Sequence, residues 1–489
     1  MSSSFIGSSP RPDKPVFVVD LDETLCRTDT LHEALLRLAI TNPLRLVGLI
    51  RQLKLGKAGF KAQVADLMIP EPDSLVFDEQ VIALVKEARA NGQRTALVSA
   101  SDIRVVQAIA DHLGLFDEVH GTQAGTGPNL SGKEKAAFLV DQFGDQGFDY
   151  VGDCAVDIPV WQAAQNAYAV RPDAKLSALA KANGVSLNAT TADDAMTSSW
   201  RTYLKALRPH QWAKNILVFL PILAAQDLSH LGLVLCAFVL FSLTASSVYV
   251  INDLVDLPSD RAHPRKSRRP FASGAIPLAK GLAIGLGLLV GSAVVSLVFL
   301  PWAFTLALAF YFAVTVAYSF VLKRKMIVDV ITLAGLYTMR IIAGGAAANV
   351  LPSPWLLAFS VFLFFGLAAI KRQAELVDQV KRGKQSSPGR AYMSDDVIVM
   401  QIMAISSGQA AVLVFALYLY SPDVAELYAR PEVLWLICPV LLYWLSRMAV
   451  LTHRGYMHDD PIVFAAKDKI SYAVGLLVLL ILTSAELFG

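Results

Sequence analysis

Four acidic or amide side chains precede a dense basic run between residues 252 and 270, where the sequence reads NDLVDLPSDRAHPRKSRRP. Asn252, Asp256 and Asp260 repeat every four residues, so on a helix they share one face, with Asp253 beside them. Mg²⁺ prefers carboxylate oxygens and commonly bridges to substrate phosphates. A charged loop that only caps a transmembrane helix would supply lysine and arginine but not spaced acids. The run therefore predicts a site for Mg²⁺ and a diphosphate.

A second set of polar residues follows short apolar runs in the first 200 residues. The runs at 15–20, 94–99 and 148–151 are rich in β-branched residues and are separated by helical patterns, which is typical of an α/β sheet. Their ends carry Asp20, Asp22, Ser99, Asp153 and Asp157. Because ligands of such sheets bind at the carboxyl ends of the strands, these side chains are expected to form a site.

The elements that must position the first site are apolar and long. Of the 489 residues 54% are apolar, and after residues 198–203 the apolar stretches approach the length of about 20 residues that crosses a bilayer. We predict nine transmembrane helices, approximately at 213–229, 232–252, 278–299, 302–322, 329–348, 354–371, 398–420, 431–450 and 470–488.

The distribution of charge predicts how these helices are oriented. Lysine and arginine concentrate in the loops after the second, fourth, sixth and eighth predicted spans, whereas the opposite loops hold almost none apart from Arg430. The positive-inside rule then places the first 200 residues and the acidic motif in the cytoplasm, and the C-terminus on the opposite side of the inner membrane. The N-terminus is polar and predicts no signal peptide, and nothing predicts a nucleic-acid partner.

The order of motifs in the first half resembles the haloacid dehalogenase (HAD) superfamily of phosphohydrolases. The resemblance covers roughly residues 15–175 and rests on DLDET, the serine of VSAS and GDCAVD. It implies that Asp20 is the nucleophile that forms an aspartyl-phosphate and that Asp22 is the acid/base. The implied Mg²⁺ ligands are Asp20, Asp153 and the main chain of Asp22.

The resemblance also implies phosphate-binding residues, namely Ser99 and a lysine. Lys135 is preferred over Lys133, and Asp157 is expected to support the site. If the acids at the strand ends only cap the following helices, as aspartate often does, the domain has no such activity.

Residues 30–85 look helical and would form the cap of this domain. Between Leu44 and Leu67 the sequence combines the basic residues Arg45, Arg51, Lys54, Lys57 and Lys61 with many leucine and valine residues. Such a helix is able to lie on anionic headgroups, and an ordinary cap helix packed on its core is the alternative.

The second half, roughly residues 200–489, resembles the UbiA superfamily of intramembrane prenyltransferases. Within it, LRPHQWAKN, the acidic motif, AYSFVLKRKMIVDV, YTMRIIAGG and KRQAEL resemble bacterial decaprenyl-phosphate phosphoribosyltransferases. The implied ligands of a second Mg²⁺ are Asp253, Asp256 and Asp260, assisted by Asn252, with Asp253 and Asp256 counted as catalytic. The implied phosphate-binding residues are Lys214, Arg261, Lys266, Arg269, Tyr318, Lys323, Arg340, Lys371 and Arg372, with Asp329 in support.

This resemblance implies a bifunctional enzyme. Its membrane domain would transfer 5-phosphoribose from phosphoribosyl pyrophosphate to a polyprenyl phosphate, and its HAD domain would then remove the 5-phosphate. Aromatic prenyltransferases carry a second acidic cluster, whereas LKRKMIVDV has one acid and three cations. Aromatic prenyl transfer and a purely regulatory HAD module are the alternatives.

The expected organisation is therefore a disordered N-terminus (1–14), an α/β HAD-like domain of Rossmannoid type with a helical cap (15–190), a linker (191–204) and an all-α, UbiA-like membrane domain (205–489). The expected partners are the membrane, the two substrates and, allowed by the sequence, further copies of the chain.

Overall fold

The computed structural model describes residues 14–50, 56–124, 129–190, 199–383, 391–457 and 460–487. Residues 1–13 of the predicted disordered N-terminus and 191–198 of the predicted linker lie outside the described residues, as do Arg51 and Lys54 of the basic cap segment. By internal contacts the chain forms two compact units. One comprises Met1–Ala206 and Val250–Ala283, and the other comprises Leu207–Tyr249 and Ile284–Gly489.

The first unit contains a six-stranded, fully parallel sheet in the order β3-β2-β1-β4-β5-β6. The strands are β1 (Val16–Val19), β2 (Thr95–Asp102), β3 (Glu118–Thr122), β4 (Phe148–Gly152), β5 (Ala167–Ala169) and β6 (Leu187–Ala189). Side chains of a strand alternate between the two faces, so Val16 and Val18 enter one core and Phe17 and Val19 the other. The predicted α/β sheet is confirmed.

The helices of this domain are α1 (Thr30–Thr41), α2 (Pro43–Ile50), α3 (Gly56–Leu67), α4 (Glu79–Ala90), α5 (Ile103–Leu113), α6 (Lys133–Phe143), α7 (Ile158–Ala163) and α8 (Ala174–Ala182). Helices α1, α2 and α3 share a small core of their own, built on Ala34, Leu38, Leu49 and Val64. Helix α4 instead packs Val81 and Val85 into the main core. The cap is therefore α1 to α3, and the last residues of the predicted 30–85 segment belong to the main domain.

Of the predicted basic cap helix the structure describes α2 and α3, and residues 51–55 between them lie outside the described residues. Leu44 and Val47 of α2 are 84% and 62% exposed, whereas Lys61 of α3 donates to the backbone carbonyl of Ala100 at 2.9 Å. Docking of α2 on headgroups stays a prediction.

The remaining helices are α9 (Trp200–Leu207), α10 (Leu220–Ala224), α11 (Leu231–Val255), α12 (Leu257–Arg261), α13 (Leu278–Phe299), α14 (Trp302–Phe320), α15 (Val328–Ala348), α16 (Pro354–Lys381), α17 (Val397–Leu419), α18 (Pro422–Leu427), α19 (Ile437–His453), α20 (Pro461–Ala465) and α21 (Lys469–Leu487). Among the described residues, eight helices are long and apolar enough to cross a membrane: α11, α13 to α17, α19 and α21. The chain is a multi-pass membrane protein.

The predicted count of nine spans is wrong by one. The first predicted span, 213–229, is a 3₁₀ segment from Pro209 to Phe219 followed by the five-residue α10. Pro221 falls in the first turn of α10, the place in a helix where a missing N–H is tolerated. A new helix therefore begins here, and the segment does not form a single long helix. The predicted position of the C-terminus rests on nine crossings and stays a prediction.

Among the apolar cores that the described residues of the second unit form, two bear on its buried polar residues. One joins α15, α16, α17 and α19 around Tyr337, Phe364 and Met448, and the other joins α11, α14 and α15 around Phe241, Phe304 and Ala343. Helix α15 contributes to both cores, so its buried polar residues are held on a rigid element.

Candidate functional site

The sheet register brings the first set of predicted residues together. Val19 of β1 lies opposite Leu97 of β2 and Val151 of β4, so Asp20, Ser99 and Asp153 leave the same edge of three adjacent strands. Asp20 Oδ2 lies 2.7 Å from Lys135 Nζ, and the Lys135 side chain is almost fully buried. Lys133 is exposed. Of the two lysines weighed from the sequence, the structure places Lys135 beside Asp20.

Asp22 is held by hydroxyl groups on the other side of the cluster. Its carboxylate accepts from the Thr30 N–H and hydroxyl, each at 2.7 Å, and from Ser101 at 2.6 Å. Ser99 donates to Asp22 at 3.4 Å. Ser101 and Thr30 were missed from the sequence, although Ser101 stands two residues after Ser99 in the same strand.

Asp157 supports the site through the main chain. Its Oδ2 accepts from the N–H groups of Asp153 at 3.2 Å and Cys154 at 3.3 Å, and its Oδ1 accepts from the Tyr150 hydroxyl at 3.0 Å. A Cβ on Gly152 would lie 2.6 Å from Asp157 Oδ2, so only glycine allows this approach. Tyr150, which also lies 3.3 Å from Asp20, is a second residue that the sequence did not reveal.

The donor set fits Mg²⁺. Burial raises the pKa of Asp20 to about 6 even though Lys135 opposes it, and burial together with Asp157 and Asp20 raises the pKa of Asp153 well above its usual range. A bound cation reverses such shifts. Asp153, Cys154 and Asp157 also lie close enough to share an ion. However, burial raises the pKa of the Cys154 thiol, and Mg²⁺ prefers oxygen. Asp20 and Asp153 are therefore the better ligands.

The acidic motif also lies in the first unit, where a helix break organises it. Helix α11 ends at Val255 and α12 begins at Leu257, with Asp256 between them and Pro258 in the first turn of α12. Proline is tolerated at that position because its missing N–H would have no intrahelical partner. Pro258 thus marks the change from the long helix α11 to the five-residue α12 without disturbing either.

Arg269 bridges two acids of the motif. Its Nη1 lies 3.1 Å from Asp253 Oδ1 and 2.5 Å from Asp260 Oδ2, and Lys266 Nζ lies 3.8 Å from Asp260 Oδ1. Both aspartates are almost fully buried. Paired oxygen ligands beside two cations suit Mg²⁺ with a diphosphate. Asn252 and Asp256 stand in the same turn and are partly buried.

Arg261 has a different environment from the one predicted. Its Nη2 lies 2.6 Å from Glu33 of the cap helix α1, and its Nη1 donates to the Ser74 carbonyl at 2.8 Å. The structure does not bring Arg261 to Asp253, Asp260 and Arg269. Its guanidinium instead attaches the acidic segment to the cap of the α/β domain, within the same compact unit.

In the second unit, Lys214 and Lys371 converge on a residue that the sequence reading missed. Asp460 Oδ2 lies 2.7 Å from Lys214 Nζ and 3.2 Å from Lys371 Nζ, and the Tyr337 hydroxyl donates to it at 3.2 Å. Burial would raise the pKa of Asp460, but Lys371 and Lys214 hold it below its usual range. This Asp460 cluster keeps one net positive charge, which suits an anionic substrate.

The only sequence signal for Asp460 is local. An aspartate followed by proline is typical of a helix start, and Asp460 indeed accepts from the Ile462 N–H at the start of α20. That signal predicts a cap and not an ion cluster, because Lys214 and Lys371 are distant in sequence.

Arg340 is enclosed by aromatic rings. Its guanidinium lies 5.3 Å from the Phe241 ring centroid and 5.2 Å from that of Tyr311, and its Nε donates to Asn215 at 2.8 Å. The side chain is almost fully buried. These contacts occupy much of the guanidinium, which favours a positioning role through Asn215 next to Lys214.

Arg372 and Asp329 form a buried ion pair of 2.6 Å. The Tyr392 hydroxyl donates to Asp329 at 2.6 Å, and Arg372 also pairs with Glu375. Asp329 is fully buried and Arg372 is 1% exposed, so this arrangement joins α15 to α16. It does not resemble an open phosphate site. Tyr318 and Lys323 are partly buried at the end of α14 and just beyond it.

Replacing Arg372 with leucine should destabilise the protein rather than only weaken substrate binding. Removing one partner of a buried pair leaves the other charge uncompensated and costs about 3–5 kcal/mol. Thermal unfolding of the detergent-solubilised protein measures this loss, and the exposed Lys325→Ala is the control, expected within about 0.5 kcal/mol of the parent. Unchanged thermal stability with a raised KM for the lipid phosphate that the resemblance implies would favour the phosphate-binding role.

Comparisons with known proteins agree with both halves of this description. The UbiA prenyltransferase family model matches residues 216–471, and the haloacid dehalogenase-like hydrolase model matches residues 17–162. An uncharacterized protein of Sinorhizobium fredii is 35% identical over 465 residues, which cover 94% of this chain and 89% of that protein.

Two further matches concern the membrane part. A decaprenyl-phosphate phosphoribosyltransferase of Mycolicibacterium smegmatis is 38% identical over 236 residues, which cover 46% of this chain and 71% of that protein. A solved structure of a UbiA homolog from Archaeoglobus fulgidus bound to DMAPP and Mg²⁺ is 17% identical, covers 58% of this chain and 97% of its own, and has a TM-score of 0.44. The chain therefore belongs to the UbiA prenyltransferase family and carries a haloacid dehalogenase-like hydrolase domain ahead of its membrane part.

Proposed function

We propose that the chain makes a lipid-linked ribose in two steps. The membrane part would transfer 5-phosphoribose from phosphoribosyl pyrophosphate to a polyprenyl phosphate, and the HAD-like domain would remove the 5-phosphate. The observation that carries the proposal is the 38% identity over 236 residues to a decaprenyl-phosphate phosphoribosyltransferase. The same chain also has a HAD-like domain whose strand-end side chains lie together.

The acidic motif supports the first step through charge. Asp253, Asp256 and Asp260, with Asn252, would hold Mg²⁺ on the diphosphate of the donor. Lys266 and Arg269, which pair with Asp260, would neutralise the charge that the leaving oxygens gain. The metal supplies neutralisation of that charge when it is bound. The Asp460 cluster would bind an anionic group through Lys214 and Lys371.

The strand-end cluster supports the second step. Asp20 Oδ would attack the phosphorus of the monoester and form an aspartyl-phosphate, while Asp22 protonates the departing sugar oxygen. Lys135 and Ser99 would neutralise and orient the phosphoryl oxygens. Asp22 would next take a proton from water, which hydrolyses the aspartyl-phosphate. Asp20 and Asp153 would hold a second Mg²⁺, so that each domain binds one.

Two alternatives remain distinguishable. Aromatic prenyl transfer involves phosphate groups on one substrate only, whereas the region 321–330 has three cations and one acid, and that acid, Asp329, is paired with Arg372. A regulatory HAD module requires no Lys135–Asp20 contact. The proposal also includes that the chain lies in the inner membrane and that both sites face the cytoplasm.

The test is a product assay with the purified full chain in detergent, supplied with phosphoribosyl pyrophosphate, decaprenyl phosphate and Mg²⁺. Mass spectrometry of the lipid fraction should show phosphoribosylated lipid at early times and its dephosphorylated form later. Omission of Mg²⁺ should abolish both. Formation of a prenylated aromatic acceptor under matched conditions, with no ribosylated lipid, would overturn the proposal.

A further inference from the structure

A cavity of about 530 Å³ opens beside the HAD-like site, within the first unit. This volume is in the range of small-molecule sites. Asp153 lines one part of it, and Gly274, Pro277 and Lys280 line another. The α/β domain and the segment that follows the acidic motif thus share one cavity, which we call the Lys280 cavity.

Basic and acidic side chains both line the cavity, and the acids are Glu23, Asp153 and Asp173. Arg27, Arg171, Lys175 and Lys280 line it. Arg27 and Arg171 both pair with the buried Asp78, at 3.3 and 3.4 Å. Lys175 and Lys280 are exposed, and among the described residues neither forms an ion pair. The Lys280 ammonium acts electrostatically on Glu23. Two exposed lysines outside any ion pair, beside the HAD-like site, suit an anion.

Close packing fixes the segment that carries Lys280. Gly274 has a φ of +73°, and a Cβ there would lie 2.7 Å from Arg27 Cβ, so the chain reaches the cavity wall only because this residue is glycine. Arg261 contacts Glu33 of the cap and Ser74 of the loop between α3 and α4. These contacts attach the same segment to the α/β domain. The segment that forms the second wall of the cavity is therefore held in place by specific contacts.

Lys280 also stands at the start of a long apolar helix. It is in the first turn of α13, one of the helices long and apolar enough to cross a membrane. A lysine at the end of such a helix lies near the headgroup level. A phosphate attached to a lipid is found at the same level.

We propose that the Lys280 cavity is a subsite for a second phosphate on the substrate of the HAD-like domain. The proposal rests on the proposed phosphatase function. The monoester would lie at Asp20 and Asp153, and Lys175 and Lys280 would bind a second phosphate on the other side of the sugar. The shared chemistry is a sugar phosphate with two phosphates, whether the second is a lipid diester or a soluble monoester.

The experiment measures binding separately from turnover. The full-length Asp20→Asn protein in detergent and Mg²⁺ is titrated with ribose 5-phosphate, with ribose 1,5-bisphosphate and with polyprenyl-phosphoryl ribose 5-phosphate. The two doubly phosphorylated ligands should bind more tightly than ribose 5-phosphate. Adding Lys280→Ala should reduce that preference about tenfold, the size of one hydrogen bond to a charged group. Lys181→Ala, exposed on α8 outside the cavity, is the matched control and should leave the preference intact.

Gly274→Ala provides a second variant that removes no charge. It should also reduce the preference, because the added Cβ meets Arg27 and moves the segment away. A preference that survives both Lys280→Ala and Gly274→Ala overturns the subsite. Loss of hydrolysis by the wild-type protein with retained, Lys280-dependent binding would refute the phosphatase function alone. Tighter binding of the lipid form than of the bisphosphate would identify the lipid diester as the source.

Discussion

Replacing Asp256 with alanine is expected to abolish both lipid products. Asp256 occupies the break between α11 and α12, one turn from Asp253 and one turn from Asp260. In the proposed function Asp256 would hold Mg²⁺ on the donor diphosphate, and its loss would remove charge neutralisation where the leaving group forms, so the transferase rate should fall at least about 10³-fold. The phosphatase then has no substrate, and the second product disappears with the first.

The measurement is the yield of both ribosylated lipids in the product assay, for the wild type, Asp256→Ala and the control Asp227→Ala. Asp227 is an exposed aspartate in the loop before α11, outside the motif. The control should retain wild-type yields. Ribosylated lipid formed by Asp256→Ala within tenfold of the wild-type rate would remove the acidic motif from the donor site.

Synthetic monoester separates the two activities in that variant. When chemically synthesised phosphoribosylated lipid is supplied directly, Asp256→Ala should still dephosphorylate it. This arm is informative because the acidic segment and the α/β domain belong to one compact unit. Failure here, together with a lower unfolding temperature, would mean that the substitution disrupts the unit and not only the metal site.

The α/β site was largely predictable because its geometry follows from strand order. Once β1 is placed between β2 and β4, the residues after each strand must meet, and the sequence motifs mark those strand ends. The position of Lys135 does not follow from strand order, because its approach to Asp20 depends on where α6 packs. Tyr150 was not predictable, because a tyrosine inside an apolar strand is usually a core residue.

The membrane part was less predictable because hydropathy does not define contacts. The segment 209–224 is apolar enough to resemble a span, but Pro209 and Pro221 prevent one long helix. Lys371 and Arg372 are consecutive, and the sequence predicts the same phosphate-binding role for both. In the structure Lys371 pairs with Asp460, whereas Arg372 pairs with Asp329. Successive residues of a helix point about 100° apart, and only the packing decides which partner each one meets.

Asp20→Asn should stop the reaction after the first product. Asparagine has the shape of aspartate but cannot act as the nucleophile, so removal of the 5-phosphate should fall at least about 10³-fold while phosphoribosylated lipid accumulates. The substitution leaves Lys135 buried without its 2.7 Å partner, yet Asp157 and Asp153 still act electrostatically on it. We therefore expect the fold to survive.

The transferase rate of this variant decides between two roles of the HAD-like domain. A phosphatase that acts on the product predicts accumulation of the phosphorylated lipid at a wild-type transferase rate, with Glu134→Gln, exposed on α6, as the control. A regulatory module predicts instead that Asp20→Asn alters the transferase rate and leaves the ratio of the two products unchanged. Because Arg261 and Gly274 attach the acidic segment to the α/β domain, thermal unfolding of each variant must accompany the rates. An unchanged yield of dephosphorylated lipid from a folded Asp20→Asn protein would show that Asp20 is not the nucleophile.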